Sequence, residues 1–235
     1  MEDPTMKHAM IAVALLFAAP SPAQEGFTPL FNGKDLAGWR YGKDALDGKT
    51  ESADQRFKVI EGVITAMEKD AAGKGGIKDL TTVQEFDKDF QLKLEFRAAA
   101  KSDSGVYIRG PQLQVRDFLR LNQQKQLTKF KDDGWNELDI TVRGNVTTAT
   151  VNGKTLGPKD NLELTYKDGK PQAKLNGEAV DVSNVQVSAG AVAECLCNGE
   201  PLSPKEMKVP AKGPIGLQAE TGKFEFRNVR FRPLQ

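Results

Sequence analysis

Phe90-Gln91-Leu92-Lys93-Leu94-Glu95-Phe96-Arg97 alternates apolar and polar residues without a break. Successive side chains of a β-strand point to opposite faces, so this stretch puts Phe90, Leu92, Leu94 and Phe96 on one face and Gln91, Lys93, Glu95 and Arg97 on the other. Val106-Tyr107-Ile108-Arg109 and Leu113-Gln114-Val115-Arg116 repeat the pattern, and Leu138, Ile140 and Val142 form the apolar side of a further strand from Trp135 to Arg143. Phe57–Ile60 and Val63–Thr65, joined by Glu61-Gly62, read as a tight hairpin. Asn152-Gly153, Asn176-Gly177 and Asn198-Gly199 mark three more tight turns, and Gly144-Asn145 reads as a turn leading back into Val146–Val151. Arg116–Lys131 is the best helical stretch, but its Gln and Lys residues suggest a solvated excursion between strands. Many short strands, Gly/Asn turns and few helices predict an all-β chain: a two-sheet antiparallel β-sandwich or jelly roll forming a single domain.

Residues 1–23 read as a secretory signal peptide: Lys7 and His8, an apolar run Ala9–Ala19, then Ser21-Pro22-Ala23. That run is shorter than the roughly 20 residues a spanning helix needs. Met6 is a reasonable start, with Met1–Thr5 as an upstream extension. The expectation is an exported protein, periplasmic or extracellular, with one domain over 24–235 and an inserted hairpin region at 156–190. No later stretch is apolar enough to span a membrane. The formal net charge of +1 gives no reason to expect nucleic acid or an anionic membrane as partner. Nothing in the sequence fixes the oligomeric state.

The one histidine, His8, lies in the signal. The remaining chain therefore has no His-based triad and no His-ligated metal, and acid–base chemistry falls to Asp, Glu, Lys, Tyr or Cys. Cys195 and Cys197 point to the same face of a strand, where small apolar filler is the expected role rather than a strained i,i+2 disulfide. Gly144–Leu156 aligns with Gly190–Leu202 at an offset of 46 residues, through either reused turn chemistry or a local duplication.

The polar partners of the alternating strands, Glu95, Arg97, Tyr107, Arg109, Gln112, Gln114, Gln218 and Glu220, are the candidate site. Set on one concave face they would suit a polyhydroxylated ligand, with amides and guanidiniums as planar donors and a phenol ring as a flat surface. Any antiparallel sheet with one wet face shows the same alternation.

Four blocks then carry a resemblance. They are Leu30-Phe31-Asn32-Gly33-Lys34-Asp35-Leu36-Ala37-Gly38-Trp39; Leu92–Arg97 with Ser104-Gly105-Val106-Tyr107-Ile108-Arg109-Gly110; Trp135-Asn136-Glu137 through Asn152-Gly153; and Gly213–Phe231. In this order, over nearly all of residues 24–235, they resemble the 3-keto-disaccharide hydrolase domain family. The resemblance implies a concanavalin-A-like jelly roll acting on 3-keto sugars. Where members often carry Tyr-Glu-x-Gln, this chain has Pro111-Gln112-Leu113-Gln114. The His that many members carry after Gly-Leu-Gln is missing here.

The implied chemistry begins with a ketone at C3, which acidifies the C2 proton. A base removes it, the C1 substituent leaves, and water adds to the alkene. Glu95 is the expected base and Glu220 the alternative, with Arg109 or Arg97 at the enolate oxygen. Arg97, Tyr107, Gln112, Gln114 and Gln218 would bind substrate. No cofactor is certain. A divalent cation on carboxylate and amide oxygens could replace the arginine, though no dedicated ion loop is present. A non-catalytic glycan-binding module is the alternative function, and a structural envelope protein a third.

Overall fold

A computed structural model describes residues 26–157 and 159–234, apart from the side chains of residues 145–148, 189 and 205. The strands run in chain order as β1 Thr28–Pro29, β2 Trp39–Tyr41, β3 Asp44–Ala45, β4 Phe57–Ile60, β5 Val63–Ala66, β6 Lys78–Thr82, β7 Phe90–Ala98, β8 Asp103–Ile108 and β9 Gln112–Arg116. They continue as β10 Asn136–Val151, β11 Lys154–Thr155, β12 Leu162–Lys167, β13 Lys170–Leu175, β14 Glu178–Val180, β15 Val185–Cys197, β16 Glu200–Pro210, β17 Ile215–Ala219 and β18 Phe224–Pro233.

Two large antiparallel sheets face each other. The nine-stranded sheet has the order β16-β15-β10-β7-β18-β5-β4, with β1 on β18 and β11 on β10; the six-stranded sheet has the order β3-β2-β6-β17-β8-β9. The expected alternation sets the core. Leu92, Leu94, Phe96, Leu138, Ile140 and Val142 from one sheet, and Val106, Ile108, Leu113, Val115, Ile215 and Leu217 from the other, are buried in a single cluster. Phe96 stacks on Phe224 with ring centroids 5.5 Å apart. Each such large side chain contributes about 1.5–3 kcal/mol by leaving water. The fold is the all-β sandwich expected from the pattern.

The hairpin turns follow their sequence signals. Both turn residues have positive φ at Glu61-Gly62 (50° and 78°) and at Asn198-Gly199 (50° and 79°), which suits the right-handed strand twist. Asn198 also anchors its surroundings: Oδ1 accepts from Glu137 N–H, and Nδ2 donates to Lys129 O and Asn136 Oδ1.

Two expectations are corrected. Gly144-Asn145 is not a turn: β10 runs straight through it with a β-bulge between Gly144 and Val146. The Gly144 N–H donates to Asp89 Oδ1 at 2.5 Å, so the ladder is interrupted without the chain reversing. The stretch after Arg116 is not simply solvated. Phe118, Leu127 and Phe130 are buried in the core, and Phe130 contacts both Phe96 and Phe118. These three side chains hold the loop against the core.

β10 and β15 pair from Leu138↔Cys197 to Val151↔Val185, while β7 accompanies β10 only as far as Val142↔Phe90. A separate three-stranded sheet, β12-β13-β14, is inserted between β11 and β15. It is polar and exposed, with Tyr166 80% accessible. Cys195 and Cys197 are free, buried thiols in the core, and burial pushes both up to about 12. Among the described residues no helix is long and apolar enough to cross a membrane. Residues 1–23, read above as a signal peptide, lie outside the described residues.

Candidate functional site

The outer face of the six-stranded sheet carries a compact polar cluster whose order follows from strand register. Thr81 of β6 lies opposite Gly216 of β17, which lies opposite Tyr107 of β8, which lies opposite Gln112 of β9. In the next row Asp79 faces Gln218, and Gly105 faces Gln114. Asp103 and Arg116 are paired below them, and Glu220, two residues after Gln218, follows on the same side of the chain.

The two glycines make room for this face. A Cβ at Gly105 would lie 2.1 Å from Gln112 Nε2, because the Gln112 side chain lies across the backbone there. A Cβ at Gly216 would lie 3.0 Å from Tyr107 Cδ2, because the phenol ring lies over it. Neither glycine needs an unusual backbone; each is required for space.

The side chains then form one hydrogen-bonded row. Gln112 Nε2 donates to Gln218 Oε1 at 2.7 Å, and Gln218 Nε2 donates to Tyr107 Oη at 2.7 Å. The Asp79 carboxylate lies near enough to the Tyr107 hydroxyl for each to influence the other's protonation. Loss of solvent, with the Asp79 charge next in importance, pushes the Tyr107 phenol up to about 12. Asp79 is itself raised by loss of solvent, partly offset by the nearby Tyr107 hydroxyl. Gln218 is only 1% exposed, so its amide is a fixed bridge within the row.

The second part of the cluster is charged. Gln114 Nε2 donates to Asp103 Oδ1 at 2.5 Å, and Arg116 Nε lies 3.4 Å from the same oxygen. Glu220 is raised above the ordinary glutamate range, first by burial and then by the Asp103 charge, with Arg116 opposing. A carboxylate that is hard to ionise yet near a cation is suited to taking up a proton. The buried Arg56 fixes the backbone at this point by donating to Glu220 O at 3.0 Å and Gly76 O at 2.7 Å. Asp54 supports that segment, accepting from Tyr41 Oη, Ser52 Oγ and Arg56 N.

Of the eight residues expected on one face, five meet here: Tyr107, Gln112, Gln114, Gln218 and Glu220. Three do not. Glu95 and Arg97 lie on the outer face of the nine-stranded sheet, on the far side of the core, because β7 pairs with β10 and β18. There Glu95 accepts from Arg227 Nε at 2.7 Å and from Asn228 Nδ2 at 3.0 Å, and Arg97 is paired with Glu225 at 2.6 Å. Arg97 and Arg227 both lie over the Trp135 ring, at 4.9 and 4.0 Å from its centroid.

Arg109 reaches neither outer face. It sits in the β8–β9 turn at φ 56°, 3% exposed, and donates to Lys88 O and Pro210 O above the Phe90 ring. The turn conformation rotates the side chain away from the direction the strand would have given it. Asp79, Asp103 and Arg116 were the residues missed. Arg116 shares the alternation of Gln114, and Asp103 that of Tyr107, so the same pattern could have found both.

Among the described residues no group of three or more His, Cys, Asp or Glu side chains could hold a metal ion. A hollow of about 220 Å³ lined by Phe86, Phe90, Phe231, Asp87 and Asp89 lies elsewhere and shares no residue with the polar face.

Among curated proteins none matches the chain. Two crystal structures of provisionally assigned glycosyl hydrolases from Parabacteroides distasonis are similar to it at 19% identity. One covers 90% of this chain and 95% of its own, with a TM-score of 0.46; the other covers 88% and 99%, with 0.47. A carbohydrate-binding module from Bacillus subtilis is similar at 9% identity over 83% of this chain and 96% of its own, with a TM-score of 0.32. The model of the 3-keto-alpha-glucoside-1,2-lyase-like domain matches residues 26–232. With nearly the whole described sandwich matched, the chain belongs to that 3-keto-alpha-glucoside-1,2-lyase-like family.

Proposed function

We propose that the chain is an enzyme acting on 3-keto-glycosides by elimination and hydration, with its site on the outer face of the six-stranded sheet. The observation that carries this reading is Glu220, a carboxylate raised by burial beside Arg116, next to the row of amides and a phenol. In the proposed sequence Glu220 takes the C2 proton. The electron pair moves into the C2–C3 bond, and charge develops on the C3 oxygen. Arg116 is the guanidinium placed to stabilise that oxygen, since its Asp103 contact is a long one at 3.4 Å. The enolate collapses, the C1–oxygen bond breaks and the departing oxygen takes a proton. Water then adds at C1 of the alkene, with a proton returning to C2, for a net hydrolysis.

Gln112, Gln114 and Tyr107 supply hydrogen bonds to ring hydroxyls in this reading. Export follows from the signal-like segment 1–23, and N-terminal sequencing of secreted protein tests it. Incubation of purified protein with a 3-keto-glucoside, monitored for release of the keto-sugar, tests the activity. No release at any pH from 5 to 9 would refute it.

One observation favours a second reading, a glycan-binding module without turnover. The centre of the face holds amides, Gln112 and Gln218, whose hydrogen bonds are made to each other and to Tyr107 rather than to an acid. Binding of the keto-sugar without release of product would support it.

A further inference from the structure

Pairing between β6 and β17 stops at Lys78↔Ala219, one residue short of Glu220. Continued, that register would set Glu220 opposite Ile77 and Thr221 opposite Gly76, but β6 begins only at Lys78. A side chain takes over where the ladder ends. Arg56 Nη2 donates to Gly76 O at 2.7 Å and to Glu220 O at 3.0 Å, so one nitrogen ties the two segments together. Nη1 donates to Lys74 O at 3.3 Å. On the β8 side, Thr221 N donates to Asp103 O at 3.1 Å, and Asp103 N to Thr221 O at 2.9 Å. Glu220 therefore sits between two backbone anchors, one a guanidinium and the other a β-bridge.

Arg56 comes from the opposite sheet. It directly precedes β4, the edge strand of the nine-stranded sheet, and is 1% exposed. Its own main chain is held: its N–H donates to Asp54 Oδ1 at 3.1 Å, and its carbonyl accepts from Met67 N at 2.8 Å. Among the described residues its guanidinium makes no ion pair; its partners are three carbonyl oxygens. A buried cation needs such partners, and a guanidinium presents its donors in a rigid plane, so the anchor is stiff. Backbone conformation sets the direction of the Cα–Cβ bond, so an anchor on the Glu220 carbonyl also aims the Glu220 side chain. Resting on the reading of Glu220 as the base, we propose that Arg56 is its positioning residue: by holding the Glu220 carbonyl it directs the carboxylate at the C2 proton. Arg56 touches no substrate in this scheme. It governs the rate of proton removal and leaves sugar binding to the amide row.

The test compares wild type, Arg56→Ala, Arg56→Lys and Glu220→Gln. Steady-state kinetics on a 3-keto-glucoside give kcat and KM. Calorimetric titration with 1,5-anhydro-3-keto-glucitol, which has no leaving group at C1, gives binding alone. In Arg56→Ala kcat should fall about ten- to hundredfold, the effect of a small misplacement of a reacting group. KM and the Kd of the anhydro sugar should stay within about threefold of wild type, because no contact to the sugar is removed. Lysine keeps the charge and a donor but lacks the planar fork, so Arg56→Lys should recover part of the rate, with kcat about three- to tenfold below wild type.

A folded Arg56→Ala with wild-type kcat, beside an inactive Glu220→Gln, would overturn this proposal and leave the proposed function standing. So would a loss carried by KM and Kd rather than by kcat, which would make Arg56 a part of the binding surface. If Arg56→Ala does not fold by circular dichroism, Arg56→Lys is judged on the same split. Failure of both variants to fold would assign Arg56 to the fold alone and overturn the proposal. Full turnover by Glu220→Gln, or none by the wild type, would overturn this proposal together with the reading on which it rests.

Discussion

Gly216 faces Tyr107 across the β17–β8 pair so closely that a Cβ at 216 would lie 3.0 Å from the ring's Cδ2 and 3.1 Å from Thr81 Cγ2. Gly105, whose direct partner is Gln114, is instead overlain by the side chain of the diagonal neighbour Gln112, with 2.1 Å to the amide nitrogen. The two sites differ in what must yield. At 216 a methyl would be wedged between a ring and a β-branched side chain, and Gly216→Ala should cost about 1–3 kcal/mol, the usual cost of overpacking. At 105 the obstacle is the end of a flexible side chain, so Gly105→Ala should cost less stability but displace the Gln112 amide. Chemical denaturation paired with sugar titration checks this. A Gly105→Ala variant with wild-type sugar affinity would count against the role given to Gln112.

The core makes a simpler prediction. Leu94 is fully buried in the core between the two sheets. Leu94→Ala should lower the unfolding free energy by about 2–5 kcal/mol, combining lost transfer energy with a cavity. Urea denaturation measures it directly, and a loss below about 1 kcal/mol would mean that the sheets collapse around the gap.

The alternation of β7, β8, β9 and β10 was legible because period 2 is a local property: Leu92, Val106, Leu113 and Ile140 are all buried as their spacing requires. The site was only half legible because the same period marks a wet face without saying which sheet owns it. Glu95 and Tyr107 look alike in sequence, yet β7 pairs with β10 and β18 whereas β8 pairs with β9 and β17. Strand pairing is a long-range outcome of packing. Arg109 failed for a local reason, a positive φ in the turn that immediately follows β8. Asp79 sits at the second position of a five-residue strand, next to a polar loop, where too few residues alternate to reveal a period. Gly144-Asn145 carried a genuine turn signal, but the long pairing of β10 with β15 overrode it as a bulge.

Cys195 and Cys197 should be chemically silent in the folded protein. Both thiols are buried and pushed up to about 12, so the reactive thiolate is scarce at neutral pH. Iodoacetamide at pH 8 should label neither residue in the native state and both in denaturant, as read by mass spectrometry. Rapid native labelling of either one would show that the strand pair β15–β16 opens more readily than its core position implies.

Glu220 and Glu95 give opposite expectations for the same substitution. Glu95 is held by Arg227 and Asn228 on the outer face of the nine-stranded sheet, away from the amide row. Glu95→Gln should therefore leave turnover of a 3-keto-glycoside unchanged and cost about 1 kcal/mol of stability, since its ion pair with Arg227 is only partly buried. Glu220→Gln should reduce turnover about 10²–10⁴-fold, the usual consequence of removing a general base. In the wild type the rate should fall as pH drops through the raised value of Glu220, because the protonated carboxyl cannot accept the C2 proton.

Stability should move the other way. The fold favours the protonated form of Glu220, so this group's stabilising contribution is complete below the unfolded glutamate value of about 4.3 and is lost as pH rises through the folded value. Glutamine has no charge to bury, so Glu220→Gln should melt at a higher temperature than wild type at pH 7, with the gap closing as the pH approaches about 4. Thermal melts across that range decide the point. A variant that is inactive and also less stable at pH 7 would mean that Glu220 serves the fold rather than the chemistry. If Glu95→Gln instead removed activity, the site would have to be sought on the opposite face of the sandwich.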